Sequence, residues 1–146
     1  MRVEIDQSGK IEQLDRASSV AFSNGSSGVV FLSAKTKREI INYFSKSSLS
    51  HKEYIPTIFA AIIFLLLQDQ KVDVLFIDEE YTNKDYVIET ALIKYFRQGN
   101  RGIPSIRFGR TGKHSPAHIL AWRTFTKKNK TSRKITLKEV LKLLKK

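Results

Sequence analysis

A mixed α/β sheet with helices packed on its faces is the fold that this sequence predicts, and three observations predict it. Residues 1–33 hold three short strand patterns divided by turn residues, a long apolar helical pattern follows, and the second half alternates apolar strand runs with helical periodicity. Such an order suits a sheet that begins antiparallel and continues through helical crossovers.

Arg2-Val3-Glu4-Ile5-Asp6 alternates polar and apolar residues, the period of a half-buried strand, and Gln7-Ser8-Gly9 turns the chain. Lys10 to Gln13 reads as a continuation of that strand. Ser18 to Phe22 is a second strand, Asn24-Gly25-Ser26-Ser27-Gly28 a turn, and Val29 to Ser33 a third strand, together an antiparallel meander. A helix is expected from Thr36 to Phe44. Ser50 and Glu53 then stand in capping-box spacing before a helix that runs to about Gln68, with His51 at its start. This helix is apolar nearly all round, so other elements should cover most of its sides. Its densest stretch, Ile55 to Leu67, contains Pro56 and Thr57 and falls short of the ~20 residues of a membrane span, so no membrane partner is expected.

Val72 to Ile77 is a continuous apolar run of the buried-strand type. Tyr81 to Asn83 lead into a helix whose Val87, Ile88, Ala91, Leu92, Tyr95 and Phe96 recur at helical spacing until Gly99 stops it. Ile103 to Phe108 predicts another strand and Gly109 to Lys113 a loop. Ser115 caps and Pro116 opens a further helix, and Thr136 with Glu139 forms a second capping box before a final helix, Leu137 to Lys146.

With 146 residues the chain is the size of one ordinary domain, which we assign to 1–126, leaving 127–146 as a basic linker and a C-terminal helix packed on or extending from it. The sequence has no cysteine, hence no disulfide or thiolate metal site, and no charged-then-apolar leader pattern is visible; both fit a cytoplasmic protein. Charge is distributed unevenly. Of 26 Lys and Arg and 14 Asp and Glu, residues 97–146 hold fifteen basic and one acidic, Glu139, so the +12 formal charge comes wholly from that third. A field of this kind suits a polyanion, and nucleic acid is the first candidate because cations at phosphates release counterions. The run Lys127-Lys128-Asn129-Lys130-Thr131-Ser132-Arg133-Lys134 is the best candidate for sequence-independent phosphate contact; a solvated linker has the same composition. Arg107, Arg110 and Lys113 flank Gly109 and Gly112, a loop able to offer amides and cations to phosphate. Neither GxxxxGK[ST] nor GxGxxG occurs, so ATPase and dinucleotide-binding readings lack support.

The first strand ends in Asp6, and the run 72–77 ends in Asp78-Glu79-Glu80. Mg²⁺ and Mn²⁺ prefer hard oxygen ligands, and a two-metal phosphodiesterase centre needs carboxylates converging from separate elements. Acidic residues are also common where strands give way to turns. His118 can ligate a transition metal or exchange a proton near neutral pH, or can simply pack beside Trp122; His114 sits before Pro116, so a helical i, i+4 histidine pair is not assured. Trp122 and Phe125 read as helix-packing aromatics.

These residues resemble the ribonuclease H-like nucleases, in the branch that contains Holliday-junction resolvases. The resemblance covers residues 1 to about 126 and rests on three antiparallel strands, a helix, then strands and helices in alternation. In that family one Asp lies on the first strand, a second acidic residue ends the fourth, and a third lies on the closing helix. Asp6 matches the first and Asp78 or Glu80 the second. At the third, Ser115-Pro116-Ala117-His118-Ile119-Leu120-Ala121-Trp122 resembles the closing-helix motif with His118 where an Asp is usual, and no carboxylate lies between Glu89 and Glu139. The resemblance implies Mg²⁺ or Mn²⁺ at Asp6, Asp78 and Glu80, with His118 beside them, cleaving structured or double-stranded DNA or RNA, with a homodimer left open. The incomplete carboxylate set equally fits a non-catalytic binding or assembly module of that fold.

Overall fold

The structure is a computed structural model that describes residues 2–24, 26–79, 81, 83–110, 117, 119, 121 and 133–144. It is α/β. Strands β1 (Arg2–Ser8), β2 (Ser18–Asn24) and β3 (Ser26–Leu32) form the expected meander, with Asp6 opposite Ala21 and Val20 opposite Val30. Helices α1 (Ala34–Ser45) and α2 (His51–Leu67) follow, then β4 (Val74–Asp78), α3 (Asp85–Gln98), β5 (Ser105–Gly109), β6 (Arg133–Lys134) and α4 (Leu137–Leu144). Among the described residues the sheet has six strands in the order β5-β4-β1-β2-β3-β6. β1 and β2, and β2 and β3, are antiparallel; β4 runs parallel to both β1 and β5, and β6 runs parallel to β3.

One sheet face carries Val3, Ile5, Val20, Phe22, Val30, Leu32, Leu75 and Ile77, all buried in the main core with α2. Every residue of α2 from Ile58 to Leu65 is buried, because the helix has several neighbours. It meets β2 and β3, packs along α3 and touches α4. Phe64 meets Phe96 of α3 edge-on, with ring centroids 5.2 Å apart. Ile135, Val140 and Leu143 join the same core, so residues 133–144 pack on the domain.

Several local expectations need correction. Lys10 to Gln13 is a turn, closed by Gln13 N–H donating to Lys10 O at 3.1 Å. The β2–β3 hairpin extends through the Ser-rich stretch, since Asn24 pairs with Ser26 and Ser23 with Ser27, so cross-strand pairing outweighs the weak strand preference of these residues. Residues 72 and 73 precede β4, although Asp73 O still accepts from Ser105 N–H at 2.8 Å. Helix α3 ends at Gly99, as expected; Gly99 has φ −85, and the next residue, Asn100, takes the left-handed conformation, φ 54. Arg101 N–H then returns to Phe96 O at 3.0 Å, and its guanidinium donates to Leu67 O (3.0 Å) and Gln70 O at the end of α2. Pro56 lies inside α2, one turn from its start. The Ser50 hydroxyl points at the Glu53 carboxylate, 3.4 Å away, with no cap bond to a backbone N–H. The second capping box is complete: Glu139 N–H donates to Thr136 Oγ1 and Thr136 N–H to Glu139 Oε1, both at 3.3 Å.

Lys37, in α1, is 1 % exposed. Its ammonium donates to Lys10 O (2.8 Å), Gln13 O (2.6 Å), Arg16 O (2.8 Å) and Ser18 Oγ (2.9 Å). One cation thereby gathers the β1–β2 connection. Burial pulls its pKa from 10.5 to about 8, against the opposing pull of Glu12 and Asp15.

Candidate metal centre and nucleic-acid face

β1 and β4 pair in parallel as Val3 with Leu75, Glu4 with Phe76 and Ile5 with Ile77, which makes Asp6 and Asp78 the next residues in step. Paired strands lie about 4.8 Å apart and side chains alternate faces. With Ile5 and Ile77 in the core, the two carboxylates share the opposite face at the C-terminal ends of adjacent strands. Asp6 is 2 % exposed and Asp78 half-buried. Asp6 Oδ1 accepts the Gln7 N–H at 2.8 Å, a backbone contact that holds the carboxylate in place. Beyond Asp78 the ladder continues for one bond, from Glu79 N–H to Gly109 O at 2.7 Å.

Burial of Asp6 has a visible cause. Ala21, directly across from Asp6, clusters with Val29 and Ala121, and Ser19 Oγ donates to Ala121 O. Ala117, Ile119 and Ala121 are helical, and the two alanines are fully buried. Ala121, a described residue of the segment expected as the closing helix, thus lies on the carboxylate face of the sheet, over the strand next to Asp6. From the core side, Gln7 Nε2 donates to the Tyr81 hydroxyl at 3.1 Å, and the Tyr81 ring packs 5.3 Å from Phe59, bracing the connection after β4.

His118, Glu80, Lys113, Lys127, Lys128 and Lys130 lie outside the described residues. Among the described residues no group of three His, Asp or Glu side chains is disposed to hold an ion. Two adjacent carboxylates, one fixed by a backbone amide, do fit the hard-oxygen preference of Mg²⁺ or Mn²⁺. They supply only part of a shell.

The described basic residues among those expected at phosphate fall at two places. Arg107 is on β5, within the strand expected over Ile103 to Phe108, and is exposed on the same face as Asp78, with Arg110 exposed just beyond the strand. Arg133 and Lys134 form β6, at the other edge of the sheet. Arg133 was expected at phosphates, but its guanidinium donates to Leu65 O at 3.2 Å and pairs with Glu139. It joins β6 to α2 and α4, and Lys134, beside it, is exposed.

Three residues of the face were not singled out from sequence: Arg2, Glu4 and Phe76. Strand alternation is the signal that finds Glu4, two residues before Asp6 on one strand. Phe76 is brought beside Glu4 only by the parallel pairing. No protein-family model, curated protein or solved structure matches this chain.

Proposed function

We propose that this is a nucleic-acid-binding protein of ribonuclease H-like architecture that cleaves phosphodiesters in structured or double-stranded DNA or RNA with Mg²⁺ or Mn²⁺ at Asp6 and Asp78. The observation that carries this reading is the parallel register of β1 on β4, which brings two carboxylates from distant parts of the chain side by side on one face. Element order supports it: three antiparallel strands, then helices and parallel strands, with β1 in the middle of the sheet between β2 and β4.

When bound, such an ion makes a coordinated water more acidic and offsets charge on the attacked phosphate. The chain's own residues do the rest. Asp6, fixed by the Gln7 amide, presents a preorganised oxygen, and the half-exposed Asp78 keeps the site open to solvent. Glu80 and His118 are the residues proposed to complete the shell or move a proton. Arg107, one strand over from β4, supplies positive charge on the same face.

A binding module without catalysis is the second reading, favoured by the fact that only two carboxylates adjoin at this point among the described residues. Wild-type protein incubated with Mn²⁺ and labelled four-way DNA, duplex DNA and RNA–DNA hybrid separates the two. Cleaved product is expected for at least one substrate, whereas retention without cleavage leaves the module. Binding itself should weaken steeply with salt, by about 0.9 in the slope of log K on log salt per phosphate contacted. Neutralising Lys127, Lys128, Lys130 and Lys134 together should flatten that slope; an unchanged slope removes the basic run from the interface.

A further inference from the structure

The sheet face that carries Asp6 and Asp78 is not uniformly covered. Ala21 and Val29 lie under Ala121, but on the β1–β4–β5 side Glu4, Val74 and Phe76 are only half-buried and Arg2, Ser105 and Arg107 are exposed. The registers arrange these residues in rows: Arg2, Val74 and Ser105 in one, then Glu4, Phe76 and Arg107 in the next. The row after it begins with Asp6 and continues through Asp78 to Gly109. Successive rows on one face are about 6.6 Å apart, the rise of two strand residues.

Phe76 forms the floor of this open strip. The Arg2 guanidinium lies over its ring, 5.5 Å from the centroid. On the other side the ring lies against β5 so closely that a Cβ on Gly109 would come within 2.6 Å of Phe76 Cζ. Neither Arg2 nor Arg107 has a hydrogen-bond or ion-pair partner among the described residues. The contrast with other arginines is plain: Arg38 donates to Leu14 O, Arg101 to two carbonyls, and Arg133 to Leu65 O and Glu139. Two unpaired planar forks flanking an aromatic floor are suited to the oxygens of a phosphodiester.

We infer that Arg2 and Arg107 form a phosphate clamp across Phe76 that holds the phosphodiester next to the one attacked at Asp6 and Asp78. This rests on the proposed function and adds the path of the substrate strand. The spacing of one row matches one nucleotide step along an extended strand. Glu4, on the β1 side of the same row, repels the phosphate, and Arg107, on the β5 side, attracts it, so the strand passes over β4 and β5. The carboxylates of Glu4, Asp6 and Asp78 lie beside the path of the phosphate and oppose it, so a divalent ion that offsets their charge strengthens the clamp.

The test is fluorescence anisotropy of a short labelled DNA duplex and the matching RNA–DNA hybrid with full-length protein, in Ca²⁺ across a range of salt. Arg2→Gln and Arg107→Gln should each weaken binding about fivefold to tenfold and reduce the salt slope by about 1. Phe76→Leu should weaken it through loss of the seat of Arg2, and Arg97→Gln, on exposed α3 surface, should leave it unchanged. Omitting Ca²⁺ should shrink the difference between wild type and the two arginine variants. Circular dichroism on each variant separates lost binding from lost folding. Wild-type binding that both arginine variants retain at the same slope overturns the clamp alone; a wild type that binds neither probe removes the proposed function and the clamp together.

Discussion

Asp6→Asn should abolish metal-dependent cleavage, by on the order of a thousandfold or about 4 kcal/mol of transition-state stabilisation, while leaving the fold intact. The amide keeps the shape of the side chain and can still accept the Gln7 N–H through its oxygen, so the bond seen at 2.8 Å has a surviving partner. What disappears is the charged oxygen pair beside Asp78. Asp78→Asn should cost a comparable factor because its carboxylate stands next in step on β4. The check is initial rate against Mn²⁺ concentration, with thermal unfolding in parallel. A variant that cleaves at the wild-type rate would sink the assignment, whereas a lower melting temperature alone would show only that Asp6 is a buried structural residue.

The second large effect belongs to Lys37. Replacing it by Met should destabilise the protein by about 2–4 kcal/mol at pH 7, because the stem is retained but the carbonyls of Lys10, Gln13 and Arg16 lose their common donor. The pH dependence has a definite sign. Burial lowers the folded-state pKa to about 8 from 10.5, so between those values the unfolded chain binds more protons than the folded one. Stability referred to this group therefore rises with pH across that window, and below about pH 8 the full desolvation penalty is present. Denaturant unfolding of wild type and Lys37→Met at several pH values isolates it: the wild-type advantage should widen from about pH 8 to 10, by up to about 3 kcal/mol. A constant or shrinking gap would show that the ammonium is not penalised by its burial.

Neither effect was equally visible in the sequence. A lysine within a helical pattern reads as a surface residue, and nothing in its neighbours announces that three carbonyls of the β1–β2 connection and the Ser18 hydroxyl converge on it. Asp6 was legible as a strand-end carboxylate, and the strands and helices that carry their own period, such as β1, α2 and α3, were legible too. The pairing of β1 with β4 was not, because the two strands are separated in sequence by β2, β3 and two helices and their register leaves no local mark. β6 has two residues and therefore no period. The role of Arg133 depends on Glu139 and on the carbonyl of Leu65 in another helix, so composition alone counted it with the free cations. Gly99 was legible as the end of α3, but the left-handed turn at Asn100, next to the return bond from Arg101 to Phe96, was not.

The central position of β1 also bears on how the chain reaches this state. The β1–β2–β3 meander joins near neighbours in sequence, whereas β1 meets β4 only after two helices have been made, a contact of long sequence separation and so of slow formation. Until β4 arrives, the free edge of β1 exposes backbone donors and acceptors beside Val3 and Ile5, a template on which another chain can stack. Charged residues along an edge oppose such stacking, and Glu4 and Asp6 fall in that strand. Asp6, proposed for chemistry in the finished protein, and Glu4 beside it should therefore act earlier as guards against aggregation, and replacing Glu4 and Asp6 together by Gln and Asn should lower the yield of soluble refolded protein more than it lowers the stability of what does fold.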